Sequence, residues 1–279
     1  MRLVIALPFL WLLVFFALPF ALVLAIALGT NAPDAAPPVT LGVNFKSFAL
    51  LFSDDLYLAA WLSSIRIAAT STLAALLLGY PMAYAITRAR PERRTLLLML
   101  VVLPFWTSFL IRIYAWRGLL SENGLLNQFL RGTGLAENPG TLLGTEWAVH
   151  LGIAYAYLPF MVLPLYATLE KLDRGLLEAA ADLGARPFTA FLTVTLPLSL
   201  PGIAAGCLLV FIPAVGEFVI PDLLGGTETL MIGKVLWDEF FTNADWPLAS
   251  AVAVCLLVLL AGPIMLFQHQ QARNLEASR

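Results

Sequence analysis

The sequence predicts an all-α integral membrane protein of about six transmembrane helices, and three observations carry that prediction. Hydrophobic residues make up 60% of the 279 positions and charged residues only 12%. A soluble domain carries roughly a quarter charged residues, so this chain has too little polar sequence to coat a soluble core. The mean hydropathy of +0.86 agrees. Six apolar stretches, about 3–28, 58–86, 96–116, 146–168, 201–221 and 247–267, are each long enough to cross about 30 Å of hydrocarbon at 1.5 Å per residue. The expected organisation is a single transmembrane domain over residues 1–279.

The first stretch follows Arg2 and runs to about Leu28. It is longer than a signal-peptide core, and no small-residue cleavage site follows at once, so it reads as a retained helix. A polar segment with Pro33, Asp34, Pro37, Pro38, Asp54 and Asp55 leads to the second stretch, which ends at the cluster Arg88, Arg90, Arg93 and Arg94. The third stretch precedes a segment with Ser121, Glu122, Gly124, Gly132 and Glu137. Every stretch contains or begins with proline: Pro8, Pro19, Pro81, Pro104, Pro159, Pro164, Pro213, Pro247 and Pro263 among them. Proline removes a helical hydrogen bond and bends the helix. Membrane helices accept this where neighbours or a cavity satisfy the freed carbonyls, so bent helices around a pathway are expected.

Lysine and arginine set the orientation. With a cytoplasmic N-terminus, the inner segments hold ten of the sixteen basic residues: Arg2, the four arginines of the 88–94 turn, Lys171, Arg174, Arg186, Arg273 and Arg279. Both termini are then cytoplasmic. The outer segments are acidic, with Asp34, Asp54, Asp55, Glu122, Glu137, Asp222, Glu228, Asp238, Glu239 and Asp245. A net charge of −2 gives no case for nucleic acid. Cys207 and Cys255 lie in apolar stretches without zinc-ligand spacing and read as buried thiols. His150 and His269 are isolated in sequence, no nucleophile–base constellation is visible, and no Gly-x-x-x-x-Gly-Lys-Ser/Thr loop exists to hold ATP.

The cytoplasmic segment 170–200 is the most informative. Asp173 is placed to cap a helix over 173–183, and Gly184 suits the left-handed residue that ends one. Arg186-Pro187 suits the start of a second short helix that ends before Pro197. Helix, glycine turn, helix makes a rigid knuckle. Leu176, Leu177, Ala180 and Leu183 form its apolar stripe, with Glu178 and Asp182 on another face. The competing reading, an amphipathic connector lying on lipid, lacks the usual basic polar face.

The pattern Glu178-Ala179-Ala180, three residues, Gly184, nine residues, Val194-Thr195-Leu196-Pro197 resembles the EAA signature of ABC importer permease subunits, with valine where isoleucine is usual at 194. The stretches Val210–Gly226 and Met231–Phe241, followed by Asp245-Trp246-Pro247, are similar to the polyamine permeases, most of all to the first permease subunits of putrescine importers. This resemblance implies the type I ABC importer permease fold and a non-catalytic pore subunit for polyamines, chiefly putrescine, in a bacterial inner membrane. It implies a coupling role for Glu178, Ala179, Ala180, Asp182, Leu183, Gly184, Arg186 and Pro187. The implied partners are a second homologous permease, two copies of an ATP-binding cassette ATPase and a periplasmic polyamine-binding protein. The chain itself would bind no cofactor; ATP and magnesium would belong to the ATPase.

Ionisable groups inside a bilayer are costly and mark function or pairing. Arg66, Arg112 and Glu217 fall in predicted stretches. Arg112 and Glu217 each stand about 16 residues, roughly 24 Å, above the inner ends of straight helices, so an ion pair between them is geometrically feasible. Glu217 also suits a pathway for a cationic substrate, and both readings stand. Asp222 with Trp106, Tyr114 and Trp237 are further pathway candidates, since cations favour carboxylates and aromatic faces. The aromatics equally suit an interfacial belt. A self-sufficient secondary transporter of cationic solutes is the alternative class; it predicts internal repeats, and no persuasive one is visible.

Overall fold

The computed structural model describes residues 2–134 and 142–277. Of the residues singled out above, Glu137 and Arg279 lie outside them. The element order is α1 (Arg2–Leu12), α2 (Leu18–Ala27), β1 (Thr30–Asn31), β2 (Val39–Thr40), α3 (Lys46–Ser53), α4 (Asp55–Arg88), α5 (Pro91–Val102), α6 (Phe109–Leu120), α7 (Leu125–Gly132), α8 (Glu146–Leu169), α9 (Arg174–Asp182), α10 (Pro187–Ala190), α11 (Leu196–Val215), α12 (Val219–Leu224), α13 (Ile232–Phe241) and α14 (Trp246–Ala277). The two short strands pair antiparallel, Thr30 opposite Thr40.

Among the described residues, four unbroken helices are long and apolar enough to cross a membrane: Ala6–Ala27, Asp55–Arg88, Glu146–Leu169 and Pro187–Val215. A fifth candidate is a bent pair, Pro91–Trp106 and Phe109–Gly132, meeting at 88°, and Trp246–Gly262 is a shorter apolar helix. Of the six expected stretches, four give unbroken spans, the third is a bent pair and the sixth gives a shorter apolar helix. The expected third span breaks where Pro104 sits in a 3-10 turn and Thr107 is extended, with ψ of 153°. The expected fifth begins at Pro187 rather than 201 and ends at Val215. The second short helix of the knuckle, expected to stop before Pro197, runs on into it instead.

The reason that helix survives Pro197 is visible one turn earlier. Residues Phe191–Thr195 form a π-helical turn, and the Leu196 N–H bonds the Phe191 carbonyl five residues back. The same device spans Leu13–Ala17, two residues before Pro19. A proline ring presses on the carbonyl four residues before it; widening that turn relieves the contact without ending the helix.

The chain divides into two compact units, residues 1–64 with 230–279 and residues 65–229. In the first, Ala27, Leu51, Tyr57, Ala60, Ile232, Val235, Leu248, Ala251 and Val252 form the buried cluster. The Ile232 N–H donates to Ser64 Oγ at 2.7 Å, and the Tyr57 hydroxyl donates to Glu239 at 2.9 Å. In the second, α8 packs along α11. Gly202 and Gly206 permit the approach: a Cβ at Gly206 would lie 2.8 Å from Met161 Sδ and 3.1 Å from the Met161 carbonyl, and one at Gly202 would lie 2.6 Å from Thr168 Oγ1. Small residues at this spacing let membrane helices pack backbone to backbone.

Candidate coupling segment and intramembrane cavity

The segment after α8 folds as its residues dictate. Asp173 is extended, and its carboxylate accepts the Gly175 N–H at 2.9 Å. At the other end Gly184 has φ of +83°, in the left-handed region. Its N–H donates to the Ala181 carbonyl at 2.8 Å, and the Ala185 N–H donates to the Ala180 carbonyl at 3.0 Å. That reciprocal pair is the Schellman arrangement, which satisfies carbonyls a helix end otherwise leaves open. Pro187 then opens α10 at its first turn. Glu178, Ala179, Asp182, Arg186 and Pro187 are exposed, and Ala180 is half-buried. Leu183 is 89% and Phe188 71% exposed, so two large, mostly uncovered apolar side chains flank the glycine turn.

Arg112 and Glu217 do meet at one place, a cavity of about 440 Å³ in the second unit. Phe105, Phe109, Tyr157, Phe160 and Phe218 line it with them. No ion pair joins the two. Glu217 sits in the break between α11 and α12, where its Oε1 accepts the N–H groups of Val219 at 3.0 Å and Ile220 at 3.4 Å. Its Oε2 accepts the Tyr157 hydroxyl. With both oxygens engaged, Glu217 is 7% exposed. The Arg112 guanidinium lies instead over the Phe105 ring at 4.8 Å and the Phe109 ring at 5.7 Å, and its Nε and Nη1 are buried without a hydrogen-bond partner. The straight-helix height estimate fails for both residues, because Arg112 follows the 88° bend and Glu217 lies beyond the end of α11.

The other pathway candidates stand elsewhere. Trp106, 81% exposed, and Tyr114, 56% exposed, are not among the cavity-lining residues. Asp222 is on α12 and exposed. Trp237 belongs to the first unit, with its ring 4.1 Å from that of Phe241.

Arg66, flagged for its position, does find a partner. Its guanidinium bonds Glu146 at 2.5 Å, and the other Glu146 oxygen is 3.2 Å from His150 Nε2. His150 Nδ1 lies 2.9 Å from Ser71 Oγ. His150, isolated in sequence, is therefore partnered in space. The signal was present in part: Glu146 and His150 are four residues apart on a helix and must share a face.

Comparison with known proteins places the chain. Residues 94–275 match the family model described as binding-protein-dependent transport system inner membrane component. The chain is 43% identical over 274 residues to the spermidine/putrescine transport system permease protein PotB of Haemophilus influenzae, covering 98% of this chain and 94% of that one. It is 41% identical to the PotB of Escherichia coli over 95% of this chain and 94% of that one. Among solved structures, it resembles a bacterial ABC transporter involved in import of the acidic polysaccharide alginate, with a TM-score of 0.70, 20% identity and coverage of 98% and 96%. It also resembles the inward-facing MetNI methionine ABC transporter, with a TM-score of 0.55, 20% identity and coverage of 80% and 96%. The chain belongs to the family of binding-protein-dependent transport system inner membrane components and has the type I ABC importer permease fold.

Proposed function

We propose that this chain is the pore subunit of an ATP-driven importer of polyamines, with putrescine as the main substrate. The observation that carries the polyamine reading is the 43% identity, over nearly the whole chain, to a permease named for spermidine and putrescine; the putrescine preference rests only on the resemblance of Val210–Gly226 and Met231–Phe241 to putrescine permeases. The knuckle at Asp173–Ala190 supports a coupled machine. The two ends of α9 are fixed by a side-chain cap and a Schellman turn, and α10 runs on into α11, so a push on Leu183 or Phe188 reaches α11 through a stiff element. We assign the motor contact to Glu178, Ala179, Ala180, Asp182, Leu183, Gly184, Arg186 and Pro187. ATP hydrolysis then belongs to two ATPase copies, the pore is completed by a second homologous permease, and a periplasmic binding protein delivers substrate to the acidic outer segments. Both termini are cytoplasmic in this scheme.

Within the membrane, the aromatic cavity at Glu217 is the first candidate for contact with the cation, with Asp222, Trp106, Tyr114 and Trp237 as further pathway residues. A polyamine is an apolar chain with charged ends, and each ammonium over an aromatic face gains about 0.5–2 kcal/mol. Arg112 opposes a cation there, so the passage would be transient rather than a storage site. The test is uptake of labelled putrescine and spermidine into proteoliposomes holding both permeases, the ATPase and the binding protein. ATP-dependent uptake that prefers putrescine is expected. Equal uptake of both polyamines would overturn the putrescine preference alone. Uptake by this chain with no ATPase present would overturn the importer reading.

A further inference from the structure

A second cavity, of about 140 Å³, lies in the second unit beneath the knuckle. It gathers Tyr84 and Arg88 from the end of α4, Arg94 from α5, Glu170 just past α8, Leu177 from α9 and Thr195 from the π-helical turn. Hydrogen-bond donors outnumber acceptors there. Arg94 donates Nη1 to Glu170 at 3.4 Å and Nε to the Ala89 carbonyl at 3.1 Å, so the one carboxylate is already neutralised. Arg88 stacks on the Tyr84 ring at 5.0 Å and donates to the Tyr84 hydroxyl at 2.8 Å, leaving further N–H groups on its fork.

Thr195 is the decisive residue. It is only 2% exposed, and its Oγ1 has no hydrogen-bond partner. A helical threonine ordinarily donates to a carbonyl three or four residues back, as Thr168 does to Pro164 and Thr193 to Thr189. At Thr195 the π-helical turn alters the spacing of those carbonyls, and the hydroxyl is left unspent at the cavity wall. A buried hydroxyl without a partner is costly.

We propose that this cavity binds a phosphate group. Two guanidinium groups against one carboxylate leave an excess positive charge, a hydroxyl donor is buried and unsatisfied, and the space suits one tetrahedral oxyanion. Guanidinium forks match phosphate oxygens in pairs. Basic pockets between membrane helices near the cytoplasmic surface are suited to anionic lipid headgroups, and the arginine-rich turn carries the inner-leaflet signature. Inorganic phosphate offers the same chemistry. Because the cavity touches α4, α5, α9 and the start of the α11 run, an occupant would tie the knuckle to the membrane helices. The inference rests on this geometry and not on the identity of the transported substrate.

The test uses the intact transporter. Its unfolding temperature is followed in detergent while inorganic phosphate replaces chloride at constant ionic strength, and again in phosphatidylcholine bilayers with and without phosphatidylglycerol. Stabilisation is expected in at least one arm. Its midpoint should weaken about tenfold in Arg88→Gln and in the near-isosteric Thr195→Val, but not in Arg93→Gln, which removes an exposed charge of the same turn outside the cavity. Stabilisation by phosphatidylglycerol alone assigns a lipid phosphodiester, and stabilisation by phosphate alone assigns the free anion. Absence of any stabilisation of the parent chain, or equal weakening by all three substitutions, overturns the proposal.

Discussion

In the knuckle, the contacts that define the turn join residues at most five apart: Asp173 with Gly175, Gly184 with Ala181, Ala185 with Ala180. Around Glu217, the defining contact joins residues 60 apart, Tyr157 on α8 with the break after α11. The first region is set by backbone rules written into a dozen residues. The second exists only after two long helices have packed through Gly202 and Gly206 against Thr168 and Met161. A substitution in the knuckle should therefore change coupling and spare the bundle, whereas one at the α8–α11 seam should remove the bundle and everything built on it.

The largest effect is expected at the seam. Gly206→Val places a branched side chain where even a Cβ lies 2.8 Å from Met161 Sδ. Overpacking of this kind costs about 1–3 kcal/mol or more, and here the Met161 carbonyl is fixed in a helix. The yield of folded, membrane-extracted protein should fall steeply, and an intact yield would show that α8 and α11 do not depend on the glycines.

Glu217→Ala comes next. It removes an acceptor shared by a hydroxyl and two backbone N–H groups, worth about 1.5–3 kcal/mol for a charged partner. Thermal unfolding should move down clearly, and less so for Glu217→Gln, which keeps one oxygen for the Val219 N–H. Lost uptake with unchanged unfolding temperature would instead make Glu217 a substrate contact alone.

Gly184→Val tests the opposite region. Left-handed φ of +83° costs a β-branched residue about 1–3 kcal/mol. No heavy atom lies within 4 Å of the added Cβ, so the cost is conformational and local. Protein yield should hold, with the unfolding temperature falling no further than in Glu217→Ala, while ATP hydrolysis separates from uptake. Normal coupled uptake would remove the turn from the transmission path.

The same local-versus-distant division explains what could be read from the sequence. The cap at Asp173, the turn at Gly184 and Pro187 at a first helical turn are short-range rules; the bounds of α9 differ from expectation by one residue at each end, and only the stop before Pro197 fails. The apolar stretches are legible as helices and their prolines as bends, but the height estimate for Arg112 and Glu217 takes straight helices. The 88° bend after Pro104 and the continuation through Pro197 depend on how neighbouring turns absorb each proline, which the proline alone does not specify. Arg112 and Glu217 line one cavity but form no ion pair, and the partners each has instead are not legible in the sequence. A carboxylate two residues before a helix start takes backbone N–H groups first, and that start appears only when the span breaks at Gly216. The β1–β2 pair and the short helices α3, α7 and α13 lay in segments read as polar connectors. Phe48, Leu230 and Leu236, packed at the first unit's buried cluster, were the overlooked signal there.

The smallest expected effect sharpens the comparison most finely. Asp173→Ala removes one acceptor from the first turn of α9 and leaves the Schellman end untouched. Loss of such a cap costs about 1 kcal/mol, and because the contact spans two residues the loss should stay within the first turn. Amide exchange of Gly175 should quicken roughly fivefold, by the Boltzmann factor of that energy, with exchange at Gly184 and Ala185 and the global unfolding temperature unchanged. If protection collapsed at both ends together, α9 would be a single cooperative rod rather than two independent ends. The coupling push would then travel along the whole helix instead of entering at the glycine turn.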